Sequence, residues 1–264
     1  MRRNATAEPL QLGLPFGQPF RQRSPSGVAD THRHIQLHGT WLRYRLSRRR
    51  RRTIGMMIDE GGLAVTAPHH VSIGEIERVI LQKANWIASR LEAWRARPRL
   101  VAQWRDGGEL PFLGETLRLH LDASARSVQR TDTKLLVLPL PATAAAERLR
   151  DAACAWLQAE ALDVFTAAVE RFAIRLGHRP RRIVLSSART LWGSCTHDGV
   201  IRLHWRLVHF SPAIIDYVVA HEMAHLKVLD HSTRFWQTLE ELLPGFAEPR
   251  AALKQWHPAS LDAV

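Results

Sequence analysis

Residues 211 to 226 most restrict what this chain can become, because they read as an apolar helix that must accommodate two histidines and a glutamate. Ser211 suits an N-cap and Pro212 suits the first helical position. Ile214, Val218, His221 and His225 fall on one ridge, and Ile215, Val219, Met223 and Leu226 widen the apolar face. A lone histidine on such a face is most simply a hydrogen-bonded core residue. Two of them four positions apart project from the same face one turn apart, the separation at which they can share a zinc ion. Glu222, next to the first, can reach a water in the open coordination position, and His231 follows six residues after the second. A buried, unpaired Glu222 would be costly without a chemical purpose. The stretch therefore predicts a metal-binding helix of hydrolytic type.

The rest of the chain sets bounds on this prediction. At 264 residues, with 45% of them hydrophobic, it can bury a full core and hold a catalytic domain beside a smaller one. No run of about 18 apolar residues occurs, so no membrane span is expected. The basic start Met1-Arg2-Arg3-Asn4 is not followed by an apolar signal core. Cys154 and Cys195 lie in segments of unlike type and suggest no disulfide, which points to a reducing, cytoplasmic setting. A net charge of +12 favours polyanionic partners. The arginine-rich stretch Arg43–Arg52 reads either as a solvated hairpin flank or as a patch that binds phosphate, on nucleic acid or nucleotide.

Four regions follow from a pass along the chain. Residues 1–30 are rich in Pro, Gly, Arg and Gln and predict a disordered tail. Residues 31–140 predict a β-rich module with one helix. Strands are expected around Trp41, Tyr44, Ile54, Met56 and Ile58, then over Leu63–Ala67. A Ser72/Glu75 capping box opens the helix, which runs to about residue 95, and strands follow at 110–113, 117–121 and 135–138. Residues 141–258 predict a catalytic core with a long helix from Thr143 to Leu176, stopped by Gly177 and Pro180. Strands at 182–186, 190–196 and 200–205, with an Asp198-Gly199 turn, come before the histidine helix. Two more helices, at about 232–242 and 247–256, are separated by Pro244-Gly245, and residues 259–264 read as a tail.

The run Arg189-Thr190-Leu191-Trp192-Gly193-Ser194-Cys195 resembles the YgjP-like family of zinc metallopeptidases, which is related to the WLM and SprT-like metalloproteases. So do Leu203-His204-Trp205-Arg206-Leu207, Tyr217-Val218-Val219-Ala220-His221-Glu222, and His231-Ser232 with Phe235-Trp236. The resemblance implies an α+β, zincin-like metallopeptidase core. In it a short sheet lies beside the histidine helix and a third ligand comes from the start of the next helix. It implies Zn2+ on His221, His225 and His231, with Glu222 as catalytic base. Leu191 and His204 depart from the family, which usually has a basic residue and often an asparagine at these places, and both departures bear on substrate contacts.

The third ligand has a rival. Metzincins with the same spacing turn the chain at a midway glycine, where this sequence has Val228. The helix would then end near Leu229-Asp230, and Glu240 or Glu241 could ligate in place of His231. Trp192, Gly193, Ser194 and Cys195 read as an edge strand beside the cleft, able to pair with an extended peptide. Arg234, Tyr217, His209 and His197 are candidates for stabilising the oxyanion, Cys195 is a remote candidate nucleophile, and Asp216 could orient an imidazole.

The leading functional expectation is a zinc metallopeptidase that cleaves protein or peptide through a metal-activated water with Glu222 as general base. The alternatives are a metal-dependent nucleotide phosphohydrolase and a DNA-associated protein with structural zinc. The last fits least well, because a structural site fills all four coordination positions and only three ligands are evident.

Overall fold

The computed structural model describes residues 31–261 apart from Glu60, Arg97 and Arg99. The expected disordered tail at 1–30 lies outside the described residues. The chain divides into two compact units at Pro98.

The unit before that point is a sheet with two helices. Strands β1 (Thr31–Leu37), β2 (Thr40–Arg48), β3 (Gly55–Asp59) and β4 (Gly62–Ala67) form a sheet of order β1-β2-β4-β3. β1 was not predicted, because Thr31-His32-Arg33-His34 lacks apolar alternation and pairing with β2 holds it in place. Helix α1 (Ile73–Gln82) opens on the predicted capping box: the Glu75 amide donates to Ser72 Oγ, and the Ser72 amide donates to Glu75 Oε2. The single predicted helix is in fact two, because Lys83 leaves helical geometry at φ −101° and ψ 14° before α2 (Ala84–Arg95). One face of the sheet packs Tyr44, Leu46, Leu63 and Val65 against Ile76, Ile80 and Ile87.

The second unit begins with β5 (Glu109–Phe112), β6 (Glu115–Leu121), β7 (Gln129–Arg130) and β8 (Leu135–Leu138), ordered β5-β6-β8-β7. The predicted boundary at 140 assigned these strands to the N-terminal module. The structure places them in the second unit. Their Leu110, Phe112, Leu119 and Leu136 share one core with Leu149, Leu157 and Trp192, and the Leu113 amide donates to the Val208 carbonyl at 2.7 Å.

Helix α3 (Ala146–Leu176) is the spine of this unit and ends where Gly177 adopts φ 68°, a left-handed conformation that costs glycine little. By length and composition alone α3 could cross a bilayer. Its Leu157, Ala161, Phe165 and Phe172 are buried in the core. Strands β9 (Arg182–Ser186), β10 (Gly193–Cys195) and β11 (Val200–His204) form a small mixed sheet in which β11 is central, antiparallel to β10 and parallel to β9.

A 3₁₀ turn at Trp205–His209 leads into α4 (Pro212–Ala224), followed by α5 (Thr233–Leu242) and α6 (Ala247–Leu253). His204, at the asparagine-like position, caps that turn: its Nδ1 accepts from the Arg206 amide at 3.2 Å, a bond that an asparagine oxygen can also make. The predicted C-terminal tail is partly structured, since Pro258–Leu261 forms a 3₁₀ turn and Leu261 is fully buried.

Candidate metal centre

Helix α4 has the predicted start but differs in how it is buried and where it ends. Ser211 has the extended backbone of an N-cap, and Pro212 is the first helical residue. Every residue from Tyr217 to Ala224 is buried, so this later part of the helix is enclosed on all sides and not merely packed along one ridge. It ends at Ala224, five residues earlier than predicted, with His225 as the C-cap. The Val228 amide donates to the Ala224 carbonyl at 3.0 Å, and the Val228 carbonyl meets His225 Nδ1 at 3.0 Å. The backbone around Val228 thus turns without a glycine, and the same turn orients an imidazole.

The three histidines converge. One nitrogen from each of His221, His225 and His231 lies within 4.8 Å of the other two. His231 Nε2 stands 3.1 Å from His221 Nε2, and tetrahedral zinc ligands at about 2.1 Å would lie about 3.4 Å apart. Two ring nitrogens at that distance need either a shared proton or a cation between them. With its Nδ1 bonded to the Val228 carbonyl, His225 leaves Nε2 buried and without a hydrogen-bond partner. Burial pushes the His221 imidazole well below its ordinary range and that of His225 down to about 4, aided at His221 by the other two histidines and Arg250. Neutral imidazoles offer lone pairs, so the donor set suits a divalent metal. Glu240 and Glu241 are exposed, and Glu240 accepts a bond from the Gly245 amide, outside the cluster.

Glu222, next to His221 on α4, is 1% exposed, and its Oε1 has no hydrogen-bond partner. Burial raises its carboxyl to about 8. The close neighbour is Gly193 of β10, where a Cβ would stand 2.5 Å from Glu222 Oε1 and 2.8 Å from Cγ. Only a residue without a side chain lets the strand come so near the carboxylate.

Aromatic rings frame the imidazoles. The Phe235 ring of α5 lies 4.5 to 4.8 Å from all three histidine rings, and Trp236 Nε1 donates to the His231 carbonyl at 3.1 Å. Arg250 of α6 covers the outer face of Trp236 at 4.4 Å. Nothing in the local sequence marks Arg250, which reaches the site from a separate helix.

The YgjP-like, metallopeptidase domain matches residues 52–256, more than three quarters of the chain. The chain belongs to the YgjP-like metallopeptidase family. It is therefore a metallohydrolase; the family implies a metal cofactor, and the histidine cluster is a group that could hold one. A solved structure similar to part of this family member is the metallopeptidase zymogen of Pyrococcus abyssi abylysin. It is 22% identical over 34% of this chain and 90% of that one, with a TM-score of 0.32, a likeness too distant to carry an argument. No curated protein matches the chain.

The other predicted site residues have varied surroundings in this family member. Trp192 is fully buried, edge-on to His204 and Phe210. Ser194 is half-buried on β10, and Arg234 is exposed in the first turn of α5. Burial raises the Cys195 thiol to about 12, which makes it unfit as a nucleophile. Asp216 pairs with Arg171 at 2.6 Å. His209 Nδ1 meets the Pro111 carbonyl at 2.7 Å, tying β5 to the 3₁₀ turn, and His197 is exposed in the β10–β11 turn. Tyr217 is buried with its ring edge toward His221.

Proposed function

We propose that this protein is a zinc-dependent peptidase with His221, His225 and His231 as metal ligands and Glu222 as general base, built on a zincin-like core. The observation that carries this reading is the convergence of three imidazoles, with a buried carboxyl that has an unpartnered oxygen next to the first of them in the helix. Three nitrogen donors favour zinc among common divalent ions, and among the described residues the group has three members, which leaves a position open for catalysis. When bound, zinc supplies Lewis-acid polarisation of the scissile carbonyl and lowers the pKa of water towards about 7.

The chain's own residues do the rest. Glu222 takes the proton from the attacking water and returns it to the leaving amine. Gly193 keeps the carboxylate in place by offering backbone with no side chain. β10 is an edge strand of its sheet, so its free edge can pair with an extended peptide beside Glu222, with Ser194 and Arg234 as further candidate contacts. Cys154 and Cys195 are both free thiols, in keeping with work in the reducing cytoplasm.

The test combines metal analysis with a mass-spectrometric survey of cleaved peptides. Wild type should carry one zinc per chain and cut, whereas Glu222→Gln should keep the zinc and lose about 10²- to 10⁴-fold in rate. Undiminished cleavage by Glu222→Gln would rule out this general base.

A further inference from the structure

The unit before Pro98 carries a disproportionate share of the charge. Residues 31–98 hold 13 Lys and Arg against five Asp and Glu, a surplus of eight within a chain of net charge +12. β1 and β2 precede the stretch that matches the metallopeptidase family, so the family's activity does not account for them.

Strand alternation sorts the side chains of this sheet. Ile35, Leu37, Tyr44, Leu46, Leu63 and Val65 point into the core that contains α1 and α2 residues. The opposite face takes their neighbours, and the register aligns them in pairs: Trp41 with Gln36, Arg43 with His34, and Arg45 with His32. Across the sheet, Arg45 lies beside Ala64 and Ala64 beside Met57. Trp41 is 68% exposed and Met57 is 50% exposed. His32, His34 and Arg43 are exposed as well. Asp59 on this face is paired with Arg45. Beyond the strand, Arg50, Arg51 and Arg52 stand in water, while Arg48 donates to the carbonyls of Pro68 and Val71 and ties down the base of their loop.

An open sheet face with an exposed tryptophan among cations has the makings of a stacking platform. From Trp41 to Arg48 the strand spans about 23 Å at about 3.3 Å per residue, room for roughly four nucleotides. A duplex hides its bases from such a flat surface, whereas unpaired bases can stack on an indole. We propose that this face binds single-stranded nucleic acid, with a base stacked on Trp41 and phosphates held by Arg43 and the Arg50–Arg52 loop.

Fluorescence anisotropy of a labelled thymidine oligomer of about 12 nucleotides, titrated with the full chain, tests this. With three phosphates neutralised, affinity should fall about 20-fold between about 50 and 200 mM salt. Trp41→Ala should weaken binding roughly ten-fold. Joint Arg50→Ala and Arg52→Ala substitution should reduce the log–log salt slope by about 1.4. Both sets of variants lie on the surface and should keep the wild-type melting temperature and peptidase activity. The absence of binding at the lower salt would overturn the proposal. So would a duplex or anionic vesicles competing as well as the single strand, or Trp41→Ala binding as tightly as wild type.

Discussion

Gly193 shows how closely this site is built at the scale of a residue. A methyl group on its Cα would meet the Glu222 carboxylate at 2.5 Å, and Glu222 is too buried to swing clear. Gly193→Ala should therefore displace the carboxylate and lower kcat/KM by about 10²-fold, in keeping with the cost of misplacing a catalytic group by about 1 Å. Zinc content should be unchanged, because the atoms nearest a Cβ at this position all belong to Glu222. Steady-state kinetics beside metal analysis would check both, and full activity in the variant would mean the carboxylate has room to adapt.

At the scale of an element, α5 buttresses the candidate metal centre although it supplies none of the three imidazoles. Its Trp236 holds the His231 carbonyl and is itself capped by Arg250. Trp236→Phe keeps most of the ring packing and removes the donor, so zinc affinity measured against a competing chelator should fall about 10-fold. An unchanged affinity would show that Phe235 alone positions the loop.

The 3₁₀ turn before α4 makes a second prediction at this scale. Burial holds His204 neutral, with its pKa lowered to about 3, and His209 likewise at about 4. In the unfolded chain each titrates near 6.5. Between those values the unfolded state binds more protons, so this stability is fully present above about pH 6.5 and is lost as pH falls towards 4. By pH 5 each histidine should cost the fold at most about 2 kcal/mol. His204→Asn keeps the acceptor for the Arg206 amide without the titration, so its melting temperature should drop less than that of wild type between pH 6.5 and 5. Equal drops would show that His204 is not the group responsible.

For the whole molecule, zinc is expected to couple to folding. The metal would bind a site assembled by α4, the loop after it and α5, and not the unfolded chain to the same extent. Chelation should lower the thermal midpoint, and adding back zinc at about 100 times its Kd should restore about 2.7 kcal/mol. A midpoint indifferent to chelator would argue that the histidines pack as well without an ion.

Much of this was legible in the chain because it is local. The spacing of His221 and His225, the Ser72 capping box, the Gly177 stop and the strand at 182–186 each depend on a few neighbouring residues, and each stands where the sequence predicts it. Other features depended on residues far apart in the chain. Val228 turns the backbone through bonds to Ala224 and His225, β5 to β8 join the second unit through a shared core, and Arg250 arrives from a different helix. The exclusion of a Cβ at residue 193 likewise reflects a carboxylate 29 positions away. Sequence alone determined which groups were available for chemistry, because periodicity and capping act within a turn or two. The tertiary structure decided which of them meet, because packing alone brings distant segments within reach of one another.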